Sequence, residues 1–138
     1  MSDPHCIFCK IVAGQIPCHK VYEDEQVLAF LDVGPLARGH TLVIPKDHYA
    51  TIDQMPDALA AACMAVIPRL SRAIIKTTEA DGWNVLQNNH RVAGQAVDHV
   101  HFHIIPRVEG DGLGYRWPAG ELDDATAKQL REQITESI

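Results

Sequence analysis

The chain has 138 residues, 46% of them apolar and 22% charged, enough for one folded domain around a single core rather than a disordered segment. Its net charge of −6, with the acids spread along the chain, argues against a nucleic-acid polymer as partner, because phosphate backbones are bound through lysine and arginine; a small phosphate-bearing ligand stays open, since a local site can be positive on an acidic protein. No stretch reads as the ~20 apolar residues of a membrane span, and the first residues lack the basic region and apolar run of a signal peptide, so the expected place is the cytoplasm, with no membrane partner and with Cys6, Cys9, Cys18 and Cys63 reduced.

Cys6-Ile-Phe-Cys9 opens the ordered chain. Two cysteines three apart can serve one Zn²⁺ as a half-site. A redox pair needs a strand before it and a βαβ unit around it, neither of which is legible, and a plain pair of structural thiols is the third reading. A metal would need two further ligands, and the chain offers eight histidines. Ile7, Phe8, Ile11 and Val12 are spaced as the apolar side of a short helix ended by Gly14. Residues 20–22 and 27–31 have strand character, with the charged run 23–26 as the turn between them and Asp32 at the end. Gly34-Pro35 and Arg38-Gly39 mark a loop. A third strand covers 40–45, and His48, just beyond it, reads by itself as a surface residue.

Pro56 sits in the first turn of a long helix, with Asp57 where the helix dipole favours an acid. Leu59, Cys63, Val66, Leu70 and Ile74 give that helix one apolar face for packing on a sheet; Pro68 inside it removes a backbone bond and should kink it, and Gly82 is its stop signal. Residues 83–88 form a fourth strand and 89–95 a loop, whose Gly94 allows close backbone approach to a ligand.

The next stretch, 98–106, carries the chemistry. His99, His101 and His103 alternate with Val100, Phe102 and Ile104, so in an extended strand three imidazoles share one face, at a repeat that suits a metal, a phosphate, or one nucleophile with two helpers. Residues 108–138 add a Gly-rich loop, the isolated Trp117 in a polar tail that suits a partner surface, and a helix over 122–138 capped by Asp123 or Asp124. Consecutive strands with tight turns favour an antiparallel α+β fold, in one domain spanning 1–138.

The stretch His99-Val-His-Phe-His-Ile-Ile105 resembles the signature of the histidine triad (HIT) family, His-φ-His-φ-His-φ-φ with φ apolar. The resemblance extends to Cys6-Ile-Phe-Cys-Lys-Ile11, Leu28-Ala-Phe-Leu-Asp32, Gly39-His-Thr-Leu-Val-Ile-Pro-Lys46, Ala93-Gly-Gln-Ala-Val97 and Arg116-Trp-Pro-Ala-Gly120, and is nearest to the Hint-type branch and its bacterial, zinc-carrying members. It implies a five-stranded antiparallel sheet with a long helix and short helices, paired as a homodimer through the long helix and a central strand.

It also implies a hydrolase or nucleotidyl transferase acting at the α-phosphate of a purine nucleotide of the AMP or GMP type, most directly on nucleoside 5′-phosphoramidates. Carried over by position, His101 is the nucleophile, His103 binds a phosphate oxygen, and His40 orients the His101 ring. Asp32 binds ribose, Asn88, Gln95, Ala96 and Val97 lie by the phosphate or leaving group, and Phe8, Phe30 and Val33 wall the base. Ala96 stands where many Hint proteins have Ser or Thr, which implies altered leaving-group preference. Cys6, Cys9, His48 and His99 make the Cys2His2 set of a structural zinc, with no organic cofactor implied. Two other readings remain: cleavage of dinucleoside polyphosphates (Ap3A or Ap4A) by hydrolysis or phosphorolysis, and a non-enzymatic, zinc-dependent nucleotide sensor or interaction module.

Overall fold

A computed structural model describes residues 1–114 and 117–138. Arg116, part of the tail motif, lies outside the described residues. The short helix α1 (Ile7–Val12) leads into strands β1 (Lys20–Glu23), β2 (Val27–Leu31) and β3 (Thr41–Pro45). The long helix α2 (Asp57–Thr78), β4 (Gly82–Gln87), β5 (Phe102–Arg107) and the terminal α3 (Asp124–Ser137) follow, with single 3₁₀ turns at Ile52–Gln54 and Arg91–Ala93. The five strands form one antiparallel sheet in the order β1-β2-β3-β5-β4, as expected for the α+β class.

Strand alternation divides the core in two. Val27, Ala29, Val43, Phe102 and Ile104 face α2 and pack on its Leu59, Cys63, Val66, Ile67 and Leu70. Leu28, Phe30, Leu42 and Ile44 face the other way, onto Cys6, Phe8 and Cys9 of the N-terminal segment. On α1 the inward residues are Phe8 and Cys9, with Ile11 and Val12 at the margin, whereas Ile7 is half exposed.

Three expectations are corrected. The last strand starts at Phe102, not Asp98, because the backbone of 98–101 bonds elsewhere: the Val100 N–H donates to the Tyr49 carbonyl (2.8 Å) and the His99 N–H to Val97 (2.8 Å). The side-chain alternation survives, with Val100 buried on the α2 side. Helix α2 stops not at Gly82, which begins β4, but at Glu79, a left-handed residue (φ 57°) whose N–H donates to the Ile75 carbonyl at 2.8 Å. The exposed Pro68 lies inside this one helical element. Finally, its alanine-rich sequence makes it apolar around most of its circumference, so by length and composition it is long and apolar enough to cross a membrane (mean hydropathy 1.6), which the sequence reading did not anticipate; here its inner face packs on the sheet.

The loop before β3 is fixed by one glycine. Gly39 has φ +88°, and a Cβ there would lie 2.7 Å from Thr78 Cγ2, so only glycine fits between the loop and the end of α2. That contact brings His40 into the sheet beside β5. At the far end, Asp123 caps α3 by accepting the Thr126 N–H at 2.9 Å, yet α3 buries none of its residues.

Candidate functional site

Two groups of histidines meet along β5 and the segment before it. Thr41 pairs with Ile104 and Leu42 with His103, which sets His40 diagonally across from His103. The two rings bond, His40 Nε2 to His103 Nδ1 at 2.8 Å. The direction follows from a third partner: the Leu36 N–H donates to His40 Nδ1 (3.0 Å), so the His40 proton sits on Nε2 and is donated to His103. His103 in its neutral form then carries its own N–H on Nε2. His101, 5% exposed, donates from Nδ1 to the His99 carbonyl at 2.7 Å, which leaves a lone pair on Nε2. Its ring lies 4.9 Å from that of His103.

This corrects one expected role. His40 does not orient His101; it orients His103, and the backbone of His99 orients His101. Register explains it, since the β3–β5 pairing brings His40 level with Ile105, one same-face step from His103 and two from His101.

Burial controls the charges. His103 is pushed down to about 4, first by burial and then by the neighbouring His101 and His40. His40 is also lowered by burial, against the pull of Asp32. The contact from His40 Nε2 to Asp32 Oδ2 at 3.7 Å therefore joins a neutral ring to a carboxylate at neutral pH. Between the ordinary histidine value of 6.5 and about 4, the unfolded chain binds more protons than the folded one, so stability falls as pH is lowered through that window and levels off below it. A melting series from pH 7 to pH 4 should show Tm falling across this range, and His103→Asn should flatten the slope.

The other predicted binding residues surround the triad unequally. Phe8 and Phe30 are buried and meet edge to face with centroids 5.6 Å apart, and Phe8 also stands edge-on to His101 at 5.2 Å and His99 at 5.8 Å. Val97 packs at the margin of the same cluster. Val33 is 86% exposed, on the surface loop after Asp32 rather than in a wall. Asn88 is half-buried, with its amide reaching the Gly94 carbonyl at 3.5 Å. Gln95 is turned inward: Oε1 accepts the His90 N–H and Nε2 donates to the Ala50 carbonyl, both at 2.7 Å, so its side chain frames the loop. Ala96 is exposed in a cleft it shares with Cys6, His48 and Asp98.

The second group consists of Cys6, Cys9, His48 and His99, whose ligand atoms all lie within 4.8 Å of one another. Cys6 Sγ to His99 Nδ1 is 3.5 Å, Cys9 Sγ to His48 Nδ1 is 3.4 Å, Cys9 Sγ to His99 Nδ1 is 3.7 Å, and the two Nδ1 atoms are 3.2 Å apart. A tetrahedral ion with ordinary Zn–S and Zn–N bonds has S···N edges of about 3.6 Å and N···N edges of about 3.3 Å. The set therefore fits zinc. His99 Nε2 donates to the Pro45 carbonyl at 2.8 Å, which turns a lone pair on Nδ1 toward the cluster, and burial holds this ring down at about 4, hence neutral. Asp3 Oδ2 stands 3.8 Å from His48 Nε2 on the outer side.

Asp3, Leu36 and Pro45 were missed by the sequence reading. Two of them act through backbone groups, which carry no residue-type signal, and Asp3 is an acid among many.

Comparison with known proteins bears on the family and the fold. The profile of the HIT domain matches residues 13–110. The adenosine 5′-monophosphoramidase HNT1 of Candida albicans is 42% identical over 142 residues, covering 99% of this chain and 93% of that protein. The crystal structure of a HIT family protein from Bacillus anthracis superposes with a TM-score of 0.94 at 43% identity, covering 99% of each chain. A zinc-bound histidine triad family protein from Mycobacterium smegmatis superposes with a TM-score of 0.75 at 38% identity, covering 97% of this chain and 98% of that one. With the triad on β5 and its approach, the cross-strand histidine of β3 and a profile match over most of its length, this chain belongs to the HIT family.

Proposed function

We propose that the protein hydrolyses nucleoside 5′-phosphoramidates, such as adenylated amines, through a nucleotidyl group carried on His101. The observation that supports this best is the bond from His101 Nδ1 to the His99 carbonyl, which leaves Nε2 free for attack on phosphorus. In the first step an N–P bond forms from Nε2, the P–N bond to the amine breaks, and the amine leaves with a proton from solvent. Water then attacks phosphorus, the His101–phosphorus bond breaks, and the nucleoside monophosphate and a proton are released. His103 has its Nε2–H to offer a phosphate oxygen, because His40 occupies Nδ1. Asp32 would accept from ribose hydroxyls, Asn88 would lie by the phosphate, and Phe8, Phe30 and Val97 would border the base. The named activity of the Candida relative supports the substrate class.

Cys6, Cys9, His48 and His99 would hold a structural zinc ion, which supplies a cross-link between the N-terminal segment and the base of the catalytic segment. A reducing, cytoplasmic setting suits these thiols. A second copy of the chain would cover the apolar surface left open by one, namely Met64 on α2, Trp83 and Val85 on the edge strand β4, Trp117, and Leu130 and Ile134 on α3.

The test is turnover of an adenosine 5′-phosphoramidate beside diadenosine polyphosphates. Faster release of AMP from the phosphoramidate is expected. Faster cleavage of the polyphosphates would favour the second reading, and no turnover of either would favour a binding module.

A further inference from the structure

The loop of residues 88–95 holds a histidine in a backbone conformation that glycine adopts freely and other residues do not. His90 has φ 65° and ψ 157°. Its frame enforces this. Gln95, 4% exposed, accepts the His90 N–H through Oε1 at 2.7 Å, and the Gln95 N–H returns to the His90 carbonyl at 3.1 Å. The same side chain anchors the loop on the Ala50 carbonyl at 2.7 Å. A glycine at position 90 would satisfy every one of these bonds without strain. A side chain kept in such a position needs a use, and its place in the fold points to one.

Gln87 pairs with Phe102, so Asn88 stands level with His101, and the far end of the loop runs through Ala96 and Asp98 into His99. The loop thus spans the catalytic segment. Arg91 follows His90 at its crest; both side chains are exposed, and the Arg91 guanidinium has no hydrogen bond or ion pair among the described residues. Among the described residues, those assigned above to the substrate include no lysine or arginine. They are the carboxylate of Asp32, the amide of Asn88, the aromatic rings of Phe8 and Phe30, and two imidazoles, His40 and His103, that burial keeps neutral. Ala96 brings no hydroxyl. An anionic group leaving past this loop meets, on the loop itself, one arginine, Arg91, and one exposed imidazole, His90.

We propose that His90 and Arg91 select the leaving group, favouring amines that bear a carboxylate over neutral ones. The guanidinium supplies the long-range attraction and a planar fork for the carboxylate, and the strained backbone fixes the imidazole beside it. This rests on the phosphoramidase reading above.

Two substrates isolate the effect: the adenosine 5′-phosphoramidates of β-alanine and of β-alaninamide, alike in size and in the bond broken but different by one negative charge. For the wild-type protein kcat/KM should favour the carboxylate by about fivefold to tenfold, as one exposed charge pair permits, and the preference should shrink as salt is raised. Arg91→Ala should bring the ratio close to one and Arg91→Glu should invert it. His90→Gly should raise Tm, because the strain is relieved, while lowering the ratio. A wild-type ratio of one, a ratio unmoved by Arg91→Glu, or a His90→Gly variant with higher Tm and an unmoved ratio would overturn the proposal. Equal turnover of both substrates defeats it alone; turnover of neither defeats the phosphoramidase reading and this proposal together.

Discussion

Replacing His101 by asparagine should lower hydrolysis of an adenosine 5′-phosphoramidate by at least about 10⁴-fold, with little change in Tm. Asparagine is the informative substitution. His101 is buried and its Nδ1–H satisfies the His99 carbonyl at 2.7 Å. Alanine would remove the nucleophile and also leave that carbonyl without its donor, at a cost of about 1–3 kcal/mol. The asparagine amide can still donate there while presenting no nucleophilic nitrogen to phosphorus. Asparagine therefore separates two readouts that alanine would mix: activity collapses and the fold does not. A comparable loss of activity in His103→Asn is not expected, because that ring binds charge rather than forming the bond; its loss should be about 10²–10³-fold, the scale of one removed oxyanion donor.

The second large effect concerns the metal. The wild-type protein should carry one zinc per chain, and Cys9→Ala should carry none, with stability lower by about 3 kcal/mol or more, or ~10 °C in Tm at this chain length. Cys9 is the hub of the cluster: its Sγ lies within 3.7 Å of both ligand nitrogens and accepts the Asp3 N–H at 3.4 Å. Chelation should lower the Tm of the wild type toward that of the variant and leave the variant unmoved. The loss should also reach the catalytic ring, though less severely than His101→Asn. His99 serves both groups, through its imidazole on one side and its carbonyl on the other, and Phe8, between the two cysteines, rests against His101 with ring centroids 5.2 Å apart. Metal analysis of protein purified without chelator gives the first answer, and a chain without zinc would remove this part of the account.

Much of this was legible because local patterns decided it. The alternation of imidazoles with Val100, Phe102 and Ile104 predicted that these three share the opposite face of the strand, and all three are buried there in the cluster with α2. The spacing of Leu59, Cys63, Val66 and Leu70 predicted the inner face of α2. What failed was long-range. Whether 98–101 pairs in the sheet depends on Tyr49, roughly fifty residues earlier, which takes the Val100 N–H. The partner of His40 depends on β3–β5 register, which no local pattern states. His48 has nothing in its neighbourhood to mark it as a ligand; it became one only through a resemblance that covers the whole chain, and the fold then placed it 3.2 Å from His99. The end of α2 was misplaced because a glutamate, Glu79, took the left-handed position that glycine usually fills.

Whether His101 carries the nucleotidyl group can be read by intact-protein mass spectrometry of a rapidly quenched reaction. During turnover of an adenosine 5′-phosphoramidate, a fraction of the chain should gain the mass of one adenylyl group, which peptide mapping should place on His101 and which should be absent in His101→Asn. Full turnover with no adduct at any quench time, or an adduct on another residue, would contradict it.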